Sequence, residues 1–307
     1  MSGMITGHLL DAVTGETLSK PQISLIRHGI REEDFTQADE LGRFSFHSLP
    51  AGRYSLGFHD ARYAPLYREV LLEEGETVEN LQISLTPGAF IKGRILDEEG
   101  VPPRYCHFTL IRAGNRGERS GYISDSGDHK VDEDGCFCSP PLSPGSYSLR
   151  FVGILQKPLS APPQPARPDI QQRIFDFLYP NAQDIKDAGT FDVQAGQIKA
   201  DLELRVPRPI WLTVRGKVTG ELPEDIANIS VHFTRDVGML DDFGSLGVKV
   251  DSSRNFEAPV QTGRYRVFVW EMAPPLQNGY TRMTKELASS IELTVGTCDV
   301  EGFEVQV

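Results

Sequence analysis

The sequence lacks what would make it a nucleic-acid binder, a membrane-spanning helix or a disulfide-stapled miniature. Its 307 residues include 31 Lys and Arg against 43 Asp and Glu, a formal net charge of −12. Phosphate backbones are bound by concentrated cations, so this balance argues against DNA or RNA as a partner. No stretch approaches the roughly 20 apolar residues that a bilayer-crossing helix needs. The chain opens Met-Ser-Gly-Met-Ile-Thr-Gly, with no basic n-region and no apolar h-region, so no secretory signal is visible. No sustained 3.6-residue periodicity is present, no glycine-rich loop leads into a helix, and no Gly-x-Ser-x-Gly elbow occurs.

Cysteine is scarce as well: Cys106, Cys136, Cys138 and Cys298 are all there are. Cys136 and Cys138 flank Phe137, so a strand puts both on one face, about 7 Å apart and too far for an unstrained disulfide. A Cys-x-Cys pair also lacks the second knuckle of a zinc site. Free thiols are the favoured reading, with one bridge in the middle of the chain or a metal as alternatives. The seven histidines are His8, His28, His47, His59, His107, His129 and His232, and exposed strand or turn positions account for them.

What the sequence does hold is a repeat. Asp39-Glu-Leu-Gly-Arg-Phe-Ser-Phe-His-Ser-Leu-Pro-Ala-Gly-Arg-Tyr-Ser-Leu-Gly-Phe58 aligns without a gap to Asp132-Glu-Asp-Gly-Cys-Phe-Cys-Ser-Pro-Pro-Leu-Ser-Pro-Gly-Ser-Tyr-Ser-Leu-Arg-Phe151. A weaker third copy, Arg254 to Val269, is one residue shorter between Phe256 and Gly263. In each copy a polar turn, an alternating strand, a second glycine-bearing turn and a returning strand follow one another, which makes a two-strand unit. The flanks repeat too. Opening strands carrying a glycine begin at Ile5, Ile91 and Trp211, second strands at Ile23, Phe108 and Ile229, and closing strands follow Gly75, Gly196 and Gly302. Short alternating strands between turn signals predict an all-β protein of three tandem sandwiches, with boundaries near Pro87-Gly88 and Pro207-Arg-Pro209. The expected domains are 1–87, 88–207 and 208–307. A proline-rich insert at 156–180 interrupts the second, and Ile170 to Tyr179 within it reads as a short helix or an edge strand.

Ile-x-Gly-x-Leu/Ile-Leu-Asp, Asp-x-x-Gly-x-Phe and Leu-x-x-Gly-x-Tyr-x-Leu together resemble the carboxypeptidase regulatory-like domain, a relative of the transthyretin-like (prealbumin-like) and Cna B-type sandwiches. The resemblance covers residues 4–87 and 89–151 well and 208–307 weakly, and Tyr179-Pro-Asn-Ala is similar to a Tyr-Pro turn of bacterial members. It implies seven-stranded Greek-key, Ig-like sandwiches and a non-catalytic accessory, scaffold or binding role on extracellular or cell-surface proteins. Some Cna B-type relatives cross-link a first-strand lysine to a last-strand asparagine. Lys92 and Lys217 lie in opening strands, but the closing strands Ala200–Val206 and Gly302–Val307 offer no asparagine.

The expected function is therefore a non-enzymatic structural or surface-interaction protein. Its partners are other proteins or further copies, met through sandwich faces and edges, with filament assembly a consequence of any contact that fails to close. The alternative is a carbohydrate-binding accessory module, for which Trp211, Trp270 and Tyr280 are the candidate aromatics. Trp270 has the opposite parity to Tyr265 on its strand, which turns it outward, although a core role remains the blander reading. Asp125, Asp128, Asp132 and Asp134 form the one acidic cluster with Ca²⁺-like spacing, against which stands a solvated acidic hairpin. No cofactor is expected.

Overall fold

Alternation in β1 (Gly3–Asp11) turns Ile5, Gly7 and Leu9 inward and leaves Thr6, His8 and Leu10 half-exposed, as a strand with one buried face requires. The chain is described here from a computed structural model that covers residues 2–30, 33–113, 129–156, 174–223, 226–236, 245–273 and 282–307. After β1 come β2 (Gln22–Arg27), β3 (Glu33–Gln37), β4 (Arg43–Leu49), β5 (Gly52–His59), β6 (Leu66–Leu72) and β7 (Thr77–Leu85). They make two sheets, β4-β1-β7 and β3-β2-β5-β6, with β1 antiparallel to β4 and parallel to β7.

The same arrangement then returns. β8 (Phe90–Asp97), β9 (Arg104–Arg112), β10 (His129–Lys130), β11 (Cys136–Cys138), β12 (Gly145–Ile154), β13 (Ile174–Leu178), β14 (Phe191–Val193) and β15 (Ile198–Val206) give the sheets β11-β8-β15 and β10-β9-β12-β13. The short β14 is an addition to the expected seven strands and pairs with the start of β12. Where helix and edge strand competed for 170–179, Ile174–Leu178 is an edge strand beside β12. A third round comprises β16 (Trp211–Thr219), β17 (Ile229–Arg235), β18 (Ser245–Lys249), β19 (Asn255–Gln261), β20 (Gly263–Met272), β21 (Met283–Val295) and β22 (Val300–Gln306), in the sheets β19-β16-β22 and β18-β17-β20-β21. Among the described residues the only helical elements are single 3-10 turns at Ile185–Asp187 and Ile226–Asn228.

The chain divides into two compact units, residues 1–94 with 136–147 and 191–203, and residues 95–135 with 148–190 and 204–307. In the first, Ile5, Leu9 and Phe44 share one core with Ile23, Leu56 and Phe58 from the facing sheet. Phe44 meets Phe58 edge to face at 5.8 Å. Each such side chain contributes about 1.5–3 kcal/mol by leaving water. In the second unit Val214, Val218 and Phe256 close over Val231, Phe233 and Val267 in the same manner. That unit also contains a row of Phe108, Phe151 and Phe177 with ring centroids 5.6 and 6.5 Å apart.

A buried ionic triad joins β12, β13 and β17 in the second unit. Arg150 donates from Nε and Nη2 to the two carboxylate oxygens of Asp176, at 2.8 and 2.6 Å, and Arg235 Nη1 lies 3.4 Å from the same carboxylate. Arg235 also donates to the Asp176 carbonyl at 3.0 Å and to the Gln183 side chain at 2.8 Å. Burial alone would raise the pKa of Asp176, but the two guanidinium groups outweigh it and hold the carboxyl below its usual range.

Candidate interaction surface

The residues repeated in sequence are spent on holding turns. Asp39 Oδ1 accepts from the N–H groups of Leu41 and Arg43 at 2.9 and 2.8 Å, and Asp251 Oδ1 accepts from Ser253 and Asn255, both at 2.8 Å. These backbone donors hold both carboxyls below the usual range. Asp132 takes the same part, accepting from Asp134 N–H at 3.0 Å. The tyrosine of each copy donates its hydroxyl to the carbonyl four residues back: Tyr54 to Pro50 at 2.6 Å, Tyr147 to Ser143 at 2.8 Å and Tyr265 to Gln261 at 2.8 Å. Burial above all pushes the Tyr265 pKa up to about 12, so the phenol stays a donor at any physiological pH.

Sequence reasoning did not reach two members of this machinery. Asp251 begins the third turn, and Arg254 occupies the left-handed position, φ 67°, that Gly42 and Gly135 fill at 76° and 82°. In the closing strands a left-handed residue recurs at Asn80, Asp201 and Gly302. At Asn80 and Gly302 it coincides with a register shift against the opening strand. Asparagine, aspartate and glycine are the residues that tolerate that backbone, which is the signal in the sequence.

The predicted acidic cluster is only partly described: Asp125 and Asp128 lie outside the described residues, while Asp132 and Asp134 meet in the turn just given. Among the described residues no group of three or more His, Cys, Asp and Glu side chains could hold a metal ion. Trp211 and Trp270 are both half-buried and sit on different sheets, Trp211 opposite Gln261 and Trp270 opposite Ser230. Trp270 faces away from the core that Tyr265, Val267 and Val269 enter. Tyr280 lies outside the described residues. All four cysteines are free, with Cys136 and Cys138 exposed on the face opposite buried Phe137. Cys106 is buried, and burial pushes its thiol up to about 12. His232 departs from the exposed position expected of it. It is buried on β17, and that burial lowers its pKa.

The outer face of the sheet β3-β2-β5-β6 is different in kind. One register row across it reads Phe35, Ser24, Gly57, Tyr67, and flanking rows place Ile26 beside Glu33 and Ser55, and Arg53 beside Leu71. Phe35, Tyr67 and Leu71 are 56%, 58% and 66% exposed, and Ile26 is 40% exposed. Small residues on the two inner strands explain the shape. A side chain at position 57 would collide with the Ser24 hydroxyl, the His59 ring and the Tyr67 ring. His59 stands edge-on to Tyr67 at 6.0 Å and lies 3.3 Å from Ser24 Oγ. The result is a level apolar and aromatic surface on a sheet face that in most antiparallel sandwiches would be polar.

With this geometry in hand, comparison with known proteins finds that residues 4–86 match the carboxypeptidase regulatory-like domain. No curated protein matches the sequence. Solved structures that are similar include the Bacillus anthracis TIE protein, at 14% identity and TM-score 0.26 over 99% of this chain and 50% of that one. A streptococcal ancillary pilin is 14% identical, TM-score 0.29, over 100% of this chain and 98% of its own. The major pilin subunit BcpA of Bacillus cereus is 10% identical, TM-score 0.26, over 100% and 99%. The chain thus spans half the length of the first of these. Among the described residues no helix is long and apolar enough to cross a membrane.

Proposed function

We propose that this protein is a non-enzymatic, extracellular or surface-displayed structural protein of three tandem sandwiches, 1–87, 88–207 and 208–307, that associates with further copies of itself. The observation that carries this reading is the outer face of β3-β2-β5-β6, where Ile26, Phe35, Tyr67 and Leu71 leave apolar surface in water on one sheet face. Apolar surface gathered on one face marks an association site. The same face bears charges of both signs, Glu33 and Glu69 beside Arg53. A second copy therefore meets unlike charges there in spite of the net −12.

The repeat supports the structural role. Its aspartates and tyrosines are consumed in capping turns, which leaves faces and edges as the parts that differ from copy to copy. Sedimentation velocity over a hundredfold range of concentration tests the proposal. Association moves the weight-average coefficient upward with concentration, whereas a constant coefficient removes it.

A further inference from the structure

A second surface feature belongs to the second compact unit. Beside the start of β9, a hollow of about 670 Å³ is lined by Arg104, Tyr105, His107, Lys130, Asp132 and Glu133, among others. Its volume falls in the range of small-ligand clefts, about 300–1,000 Å³.

Tyr105 is the unusual member. Its φ of 49° is left-handed, a backbone state that an aromatic residue seldom adopts, and the residue is 80% exposed. Strained residues concentrate where structure serves a ligand, and here the strain holds an aromatic face in water at the mouth of a hollow. His107, which also lines the hollow, stands opposite Lys130 in the β9–β10 register.

Charge selects the ligand class. Arg104 and Lys130 balance Asp132 and Glu133 around the rim, so a ligand of either net charge meets as much repulsion as attraction. A neutral polyhydroxylated ring is served by both sets, because each hydroxyl donates to carboxylates and accepts from cations. Its C–H face then packs on the exposed ring of Tyr105. We propose that this hollow is a binding site for a neutral saccharide chain, with Tyr105 as its stacking platform and the charged side chains of the rim as its hydrogen-bonding groups. The site goes beyond the self-association proposed above and does not depend on it.

The test is affinity gel electrophoresis of the full chain in hydroxyethylcellulose, xylan, mannan and laminarin, with poly-L-proline as a competing extended ligand. Two site variants serve, Tyr105→Asn, which keeps a residue tolerant of the left-handed backbone, and Glu133→Ala at an exposed position. Trp270→Ala is the control. At least one polysaccharide is expected to retard the wild type, with the dissociation constant raised tenfold or more by Tyr105→Asn, severalfold by Glu133→Ala and not by Trp270→Ala. Absence of retardation in all four polymers overturns the proposal. So does retardation that survives both site variants, or a Tyr105-dependent affinity for poly-L-proline without one for any saccharide. Loss of self-association leaves these readings intact, so the two proposals fail separately.

Discussion

Gly216 lies in register opposite Phe256, and the Phe256 ring fills the space a side chain at 216 would need. A Cβ there would stand 2.5 Å from the ring and 2.1 Å from the carbonyl oxygen of Phe303. Gly7 bears the same relation to Phe44, at 2.5 Å, and Gly93 to Phe137, at 3.0 Å. Each glycine is the point at which the central strand of a three-stranded sheet accepts the hairpin's aromatic ring. Since the closer obstacle at Gly216 is backbone, Gly216→Ala is expected to destabilise the fold by about 2–3 kcal/mol, as overpacking does. Urea unfolding followed by circular dichroism measures it, and a change under 0.5 kcal/mol would show that the strands part easily.

The tyrosine hydroxyls make a second, graded prediction. Tyr54→Phe and Tyr265→Phe each remove a donor and leave the carbonyl of Pro50 or Gln261 without it. A loss of about 1–2 kcal/mol is expected for each variant. The two sites lie in different compact units, so the double variant should show additive losses in denaturant titration.

Arg254 is the third case, and its sign is opposite. An arginine at φ 67° carries a strain that glycine at the matching positions 42 and 135 does not. Arg254→Gly is expected to stabilise the protein by up to about 1 kcal/mol, the left-handed penalty less the added freedom of the unfolded chain. Differential scanning calorimetry reads it as a higher melting temperature. A lower one would mean that the Arg254 bond to the Gly220 carbonyl, at 3.2 Å, outweighs the strain.

Asp176 predicts a pH dependence. Its folded pKa lies below the unfolded value, so the unfolded chain binds the proton more readily as pH falls. Its contribution is present in full above the unfolded carboxylate pKa, near 3.9, and disappears as pH drops through the lower folded value. Asp176→Asn should lower stability by about 3–5 kcal/mol at pH 7, because Arg150 and Arg235 stay buried without their counter-charge. It should also flatten the acid limb of a plot of melting temperature against pH. An unchanged acid limb would assign that limb to other carboxylates.

Much of this architecture was legible in the sequence because its turn chemistry repeats. Gly42 and Gly135, Phe44 and Phe137, and Tyr54 and Tyr147 announce a shared hairpin, and alternation in the opening strands announces a buried face. The parity of Trp270 pointed outward, and the strand places it so, against the blander expectation of a core aromatic. That Gly7, Gly93 and Gly216 touch the hairpin phenylalanines was not legible, since nothing in a sequence measures contact between strands 35 to 45 residues apart. Arg254 hid the third turn by replacing its glycine. The association face escaped for a related reason. β3 is exposed at nearly every position and so carries no alternation, which left Phe35 without a strand to belong to. Tyr105 was missed because a residue's exposure and left-handed backbone leave no periodic trace.

The central claim, self-association through the face that bears Phe35 and Tyr67, is tested most directly by multi-angle light scattering of the wild type and of Phe35→Ser/Tyr67→Ser. Both substitutions fall on exposed positions. The account predicts a wild-type mass that climbs above 34.1 kDa with concentration, and a double variant that stays at 34.1 kDa with the same melting temperature. A wild type that remains at 34.1 kDa at every concentration, or a double variant that associates as before, would contradict it.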